Sequence, residues 1–229
     1  MWNLYMDDLS ERLRSVRERI GRACLRAGRP VESVRLIAVT KTHPAETVQA
    51  LIDLGVRDIG ENRVQEIEEK APALTGEFTL HMIGRLQTNK AGKVWPLAGW
   101  IQSVDREKLV RRLEGLYVDG PRKKVLIEVN TSGEESKSGC RPDECRQLCG
   151  LVAQSGALEL RGLMTIGPLG GDERAVRSAF SLLRELSLKC CAGINSPELS
   201  MGMSGDFEWA IEEGATMVRV GAVLVGNRI

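Results

Sequence analysis

RLIAVTKTHPAETVQALIDLGVRDIG, residues 35–60, decides the fold. Arg35–Thr40 is an apolar run with aliphatic and β-branched side chains, which reads as a strand. Pro44–Leu54 reads as a helix, with proline tolerated at its start. Arg57–Gly60 is a second strand. Strand, helix and strand in direct succession form a crossover unit, the connection that parallel strands require.

The same alternation continues downstream. Further strands are predicted at Thr79–Ile83, Trp100–Val104, Lys124–Asn130, Glu159–Thr165, Glu198–Met201 and Thr216–Val220. Helices are predicted at Asp105–Leu116, Pro142–Gln154, Asp172–Leu186 and Asp206–Glu213. Eight strands separated by crossovers point to an α/β protein, a single (β/α)8 TIM barrel. An open doubly wound sheet has the same local pattern. No linker or charge block divides the chain, so residues 1–229 read as one domain.

Upstream, Leu9, Leu13, Val16, Ile20 and Cys24 recur at steps of four and three. They mark an extra N-terminal helix within residues 1–30, packed on the barrel by one apolar stripe and ended by Gly28 and Pro30. Its other faces are rich in arginine. Asp8 with Arg12 and Glu18 with Arg22, each four apart, read as pairs on a solvated face rather than as a nucleic-acid arm.

The net charge of +1 gives no global field for nucleic acid or an acidic membrane surface. No apolar run is long enough to cross a bilayer, the first residues lack the basic and apolar regions of a secretory signal, and Asp7, Asp8 and Glu11 argue against a transit peptide. The expected compartment is the cytoplasm, with the six cysteines reduced. Cys140, Cys145 and Cys149 lack a CxxC pair and a nearby histidine, so a zinc site is not expected. No dimer seam is visible, and a monomer is the default.

In a TIM barrel the chemistry sits at the C-terminal ends of the strands. Lys41 ends the first strand. It is either a lysine reaching water at the rim or an amine made nucleophilic by desolvation. Gly60, Glu61, Asn62 and Gln65 follow the second strand. His81 lies within the third, on the face opposite Leu80 and Met82, as a core residue or a pocket group. SMGMSGDFEWA supplies a glycine-flanked Ser204 as a helix cap, and Arg219 and Gly221 close the eighth strand. The loops after strands seven and eight commonly bind phosphate in this fold. A lysine facing a phosphate cradle fits a phosphorylated aldehyde.

The segments AVTKTHP, IGENRVQE, LHMIGRLQTNK, IQSVD, EVNTSGEESKSG, LRGLMTIGP, LSMGMSGDFEWAIEEGATMVRVG and the closing GNR resemble the pyridoxal-phosphate homeostasis proteins, a family like the N-terminal domain of alanine racemase. The resemblance runs from about residue 36 to the C-terminus. It implies a TIM barrel that binds pyridoxal 5′-phosphate (PLP) as a Schiff base on Lys41. Ser204, with backbone groups around Gly221 and Ala222, would hold the phosphate. Arg219 would face the pyridine nitrogen, and Asn62, His81, Ser200 and Met201 would line the pocket near the ring. A cation there disfavours ring protonation and makes a poor electron sink. The family is regarded as non-enzymatic, acting in vitamin B6 balance, with apo-PLP enzymes as possible transient partners. The alternative is an amino-acid racemase with His81 as second base. The racemase's catalytic tyrosine has no counterpart, since Tyr5 and Tyr117 fall outside the matching motifs. A Schiff-base sugar aldolase is a third reading. Arg63 stands where relatives often carry an aromatic residue, and Thr40 and His43 also depart from the common pattern.

Overall fold

A computed structural model describes residues 2–226, with side chains from residue 6. Asn227 and Arg228 of the closing GNR motif lie outside the described residues, as does the side chain of Tyr5. Eight parallel strands close into a barrel in chain order: β1 (Arg35–Val39), β2 (Asp58–Glu61), β3 (Thr79–Met82), β4 (Trp100–Val104), β5 (Lys123–Glu128), β6 (Leu158–Met164), β7 (Glu198–Ser200) and β8 (Met217–Val220). Closure is carried by β1 and β8, with Arg35 opposite Met217 and Ala38 opposite Val220. Each predicted strand falls on an observed one. The ends differ by a residue or two, because Thr40, Ile83 and Met201 already belong to the turns above the sheet.

The helices are α1 (Trp2–Arg26), α2 (Ala45–Asp53), α3 (Val64–Lys70), α4 (Ala91–Val94), α5 (Glu107–Glu114), α6 (Cys145–Ala153), α7 (Glu173–Cys190), α8 (Phe207–Glu212) and α9 (Ala222–Val225). The stripe of Leu9, Leu13, Val16, Ile20 and Cys24 on α1 is buried in the layer between barrel and helices. Asp8 with Arg12 at 2.5 Å and Glu18 with Arg22 at 3.9 Å form the two pairs read from the sequence. Two further arginines leave the solvated face. Arg19 and Arg26 each pair at 2.6 Å with Glu208 and Glu212 of α8, which fixes α1 against the last crossover.

Strand alternation divides the interior. Leu80, Met82, Val218 and Val220 point outward into the helix layer. Ile37, Trp100, Leu126, Met164 and Met217 point inward and form a separate apolar plug. Above that plug, toward the C-terminal ends of the strands, the inward positions turn polar and a cavity opens.

Candidate functional site

The cavity at the barrel mouth has a volume of about 350 Å³, within the range of small-molecule sites. Lys41, Asn62, Ser204 and Arg219 supply its polar wall, and Val39, Ile83 and Ile166 supply apolar surface. These residues come from the ends of β1, β2, β3, β6, β7 and β8, so only closure of the barrel assembles them.

Lys41 is exposed, two residues beyond the end of β1. Its position matches the reading of a lysine that reaches water at the rim. The turn that carries it is held firmly. Thr42 adopts a left-handed conformation with φ of 68°, which a β-branched residue takes only under constraint. Its N–H donates to Glu66 Oε2 at 2.7 Å. Lys70 Nζ donates to the Thr40 carbonyl at 2.9 Å and to Glu61 Oε1 and Glu66 Oε2 at 2.8 Å each. The Thr40 hydroxyl donates to Glu61 Oε1 at 2.6 Å. A buried ion triad thus grips both neighbours of Lys41. Burial pushes the Glu61 carboxyl up to about 7.

Arg219, on β8, is almost fully buried. Nη1 donates to Ser200 Oγ and Nη2 to the Thr165 carbonyl, both at 2.7 Å. Burial lowers the guanidinium to about 10, against the attraction of Glu128 and Asp206, so it remains a cation at neutral pH. Two hydrogen bonds aim it, and its side chain reaches the cavity wall.

Ser204 is not a helix cap. Helix α8 begins at Phe207 after Asp206, and Ser204 Oγ accepts from the Gly221 N–H at 3.2 Å. The serine therefore ties the β7 loop to the β8 loop. Gly202, with φ of 90°, allows the turn, because a Cβ there would lie 2.5 Å from Ala210 Cβ. Ala222 starts α9, where the first N–H groups have no intrahelical acceptor. Hydroxyl and free N–H groups at one end of the cavity suit a phosphate dianion.

The family model for the alanine racemase N-terminal domain matches residues 12–228. The pyridoxal phosphate homeostasis protein of Aquifex aeolicus is 42% identical over 95% of this chain and 97% of its own length. That of Pseudomonas aeruginosa is 42% identical over 97% of each. The structure of PipY from Synechococcus elongatus with PLP bound superposes with a TM-score of 0.78 at 35% identity, covering 95% of this chain and all of that one. This chain belongs to the pyridoxal phosphate homeostasis protein family.

Within that family frame, the cavity gathers six of the nine residues singled out from the sequence: Lys41, Asn62, Ser204, Arg219, Gly221 and Ala222. Three do not line it. Met201 points outward into the helix layer, since alternation forbids it to share a face with Ser200. Ser200 is buried and reaches the cavity only through Arg219. His81 faces inward as expected but one layer lower, stacked on Trp100, and Ile83 occupies the cavity level of β3. Several residues that frame the cavity lie in or near the quoted segments but are not among those singled out as site residues. Thr165 contributes only a carbonyl to Arg219, and Lys70, the last residue of α3, lies beyond α2 and β2 from Lys41 in sequence. Gln102, inside the quoted IQSVD, accepts from Ser200 at 2.7 Å. Gly84 meets the Asn62 backbone so closely that a Cβ would sit 2.3 Å from its carbonyl oxygen.

Proposed function

We propose that this chain binds PLP in the cavity at the barrel mouth, with Lys41 as the Schiff-base amine, and serves cytoplasmic vitamin B6 homeostasis without turnover of its own. The observation that carries the proposal is the joining of an exposed lysine, a two-loop hydroxyl and N–H cradle, and a buried arginine cation in one cavity. Their chemistry fits the three polar ends of the cofactor: aldehyde, phosphate and ring nitrogen. These residues line the cavity: Ser204, Gly221 and Ala222 would take the phosphate, Arg219 would face the ring nitrogen, and Asn62 would border the ring. When bound, PLP supplies an aldehyde that captures amines reversibly. The shared name of the relatives and the PLP in the PipY structure support the same reading.

The non-catalytic half rests on what surrounds Lys41. Among the described residues, the cavity lining holds no carboxylate, imidazole or phenol to act as a second acid or base. Both ring nitrogens of His81 are engaged, by Asp58 and Gln102, and the Tyr117 hydroxyl donates to the Gly120 carbonyl. With PLP bound, the Arg219 cation would disfavour protonation of the ring nitrogen, which would weaken carbanion stabilisation. The apo forms of PLP enzymes are then the natural recipients of released cofactor.

The test is an absorption spectrum of the purified protein with PLP, followed by borohydride reduction and peptide mapping. The expected adduct is on Lys41. An identical adduct in Lys41→Ala protein would overturn the assignment. Stereoinversion of an amino acid above the free-cofactor background, lost in Lys41→Ala, would overturn the non-catalytic half.

A further inference from the structure

A row of polar side chains crosses the barrel interior, and the proposed function uses only its last member. Arg219 Nη1 on β8 donates to Ser200 Oγ on β7 at 2.7 Å. Ser200 Oγ donates to Gln102 Oε1 on β4 at 2.7 Å. Gln102 Nε2 lies 2.9 Å from His81 Nδ1 on β3. His81 Nε2 lies 2.8 Å from Asp58 Oδ1, at the N-terminal end of β2. His81, Gln102 and Ser200 are wholly buried.

The two ends fix the direction of every bond. A guanidinium offers only donors and a carboxylate only acceptors. Ser200 Oγ accepts from Arg219, so its own proton goes to Gln102 Oε1. The amide then presents N–H to His81, Nδ1 accepts, and Nε2 carries the ring proton toward Asp58. Turning the amide over would move that proton to Nδ1 and leave a bare Nε2 against the Asp58 carboxylate. Only a doubly protonated ring avoids that clash. Desolvation opposes the extra charge and holds His81 below its ordinary value, although Asp58 pulls the other way. The other charged groups facing the ring are Arg35 and Glu198, 3.7 Å apart, with Arg35 also 3.9 Å from Asp58. Trp100 stacks on the imidazole with ring centroids 5.7 Å apart and fixes its plane.

We infer that Gln102, His81 and Asp58 are positioning residues for Arg219. They form a one-way hydrogen-bond relay that selects the Nε2–H tautomer of His81 and pins the guanidinium at the ring end of the cavity. The relay begins at the opposite end of the barrel from the cavity, so a group remote from the ligand helps to define the charge that meets it. The effect on bound PLP rests on the function proposed above; the tautomer does not.

Nitrogen-15 NMR of histidine-labelled, cofactor-free protein tests the relay directly. His43→Gln assigns the second imidazole. The native His81 ring is expected to show a protonated Nε2 and a bare Nδ1 at about pH 8. The isosteric Gln102→Glu change, once its carboxyl ionises, places an acceptor on both sides, so both ring nitrogens should then become protonated. An Nδ1–H tautomer in the native protein would overturn the inference, as would an unaltered ring in Gln102→Glu at a pH where carbon-13 NMR shows the new carboxyl ionised. In the loaded protein, Gln102→Leu should raise the dissociation constant for PLP about fivefold, the scale of one buried hydrogen bond, and move the nitrogen-15 shift of the labelled cofactor ring. A folded Gln102→Leu protein with neither change would remove the positioning role. A native protein that takes up no PLP at all would defeat the proposed function and leave the tautomer result standing.

Discussion

Replacing Glu128 by glutamine should flatten the protein's loss of stability with rising pH. Glu128 ends β5, is 3% exposed, and has no hydrogen-bond partner for Oε2 among the described residues. Burial pushes its carboxyl from an ordinary 4.5 up to about 7, and nearby Asp105 adds to the shift. Arg219, Arg85 and Arg106 offset it only in part. Below 4.5 the carboxyl is protonated in both folded and unfolded chains. Between 4.5 and about 7 the unfolded chain ionises while the folded one keeps its proton, so stability falls as pH rises. Above that range both are ionised and the loss is complete. At about 1.4 kcal/mol per pH unit the loss amounts to about 3 kcal/mol. Glutamine mimics the protonated acid at every pH. Urea unfolding of parent and Glu128→Gln proteins, without PLP, should give similar stabilities near pH 5 and a variant about 3 kcal/mol more stable than its parent near pH 8. Glu61, also raised to about 7, slopes both curves alike and cancels in the difference. Parallel curves for the two proteins would refute the assignment of a buried, proton-holding Glu128.

Lys70→Met leaves Glu61 and Glu66 without their cation and should cost about 3 kcal/mol in urea unfolding. The same change frees the turn around Lys41, so the rate of PLP adduct formation should fall as well, read by stopped-flow absorbance. Gly84→Ala drives a Cβ into the Asn62 carbonyl and should lower stability by about 2 kcal/mol, measured calorimetrically. Ser204→Ala removes a hydroxyl from the cradle and should weaken PLP about tenfold while leaving phosphate-free pyridoxal nearly unaffected, measured by fluorescence titration.

Residues 35–60 display strand, helix and strand because their periods differ, and that local contrast repeats along the chain. Strand positions, the apolar stripe of α1 and the two acid–base pairs on its surface were therefore open to reading. Lys41, Asn62, Ser204, Arg219 and Gly221 were also open to it, because a barrel concentrates its chemistry at strand ends, whereas Ala222 comes only from the family resemblance. Depth was not open to reading. His81 in β3 and Ile83 just beyond it alternate onto the same side, yet only Ile83 reaches the cavity, a difference of one layer that alternation cannot express. Along the strand Lys41 reads equally as a rim lysine reaching water or as a desolvated amine, and its exposure is settled by where β1 stops relative to its neighbours.

The sequence by itself determined the order of elements, the apolar faces and the residue types at the barrel mouth, since these follow from periodicity and from side-chain chemistry along one strand or helix at a time. Only the tertiary structure decided which polar groups meet. Lys70 reaches Thr40 across thirty positions, and Arg219 is linked to Asp58 through Ser200, Gln102 and His81, one group from each of five strands. A hydrogen bond requires placement to within a fraction of an ångström, and closure of the barrel, rather than any local propensity, supplies it.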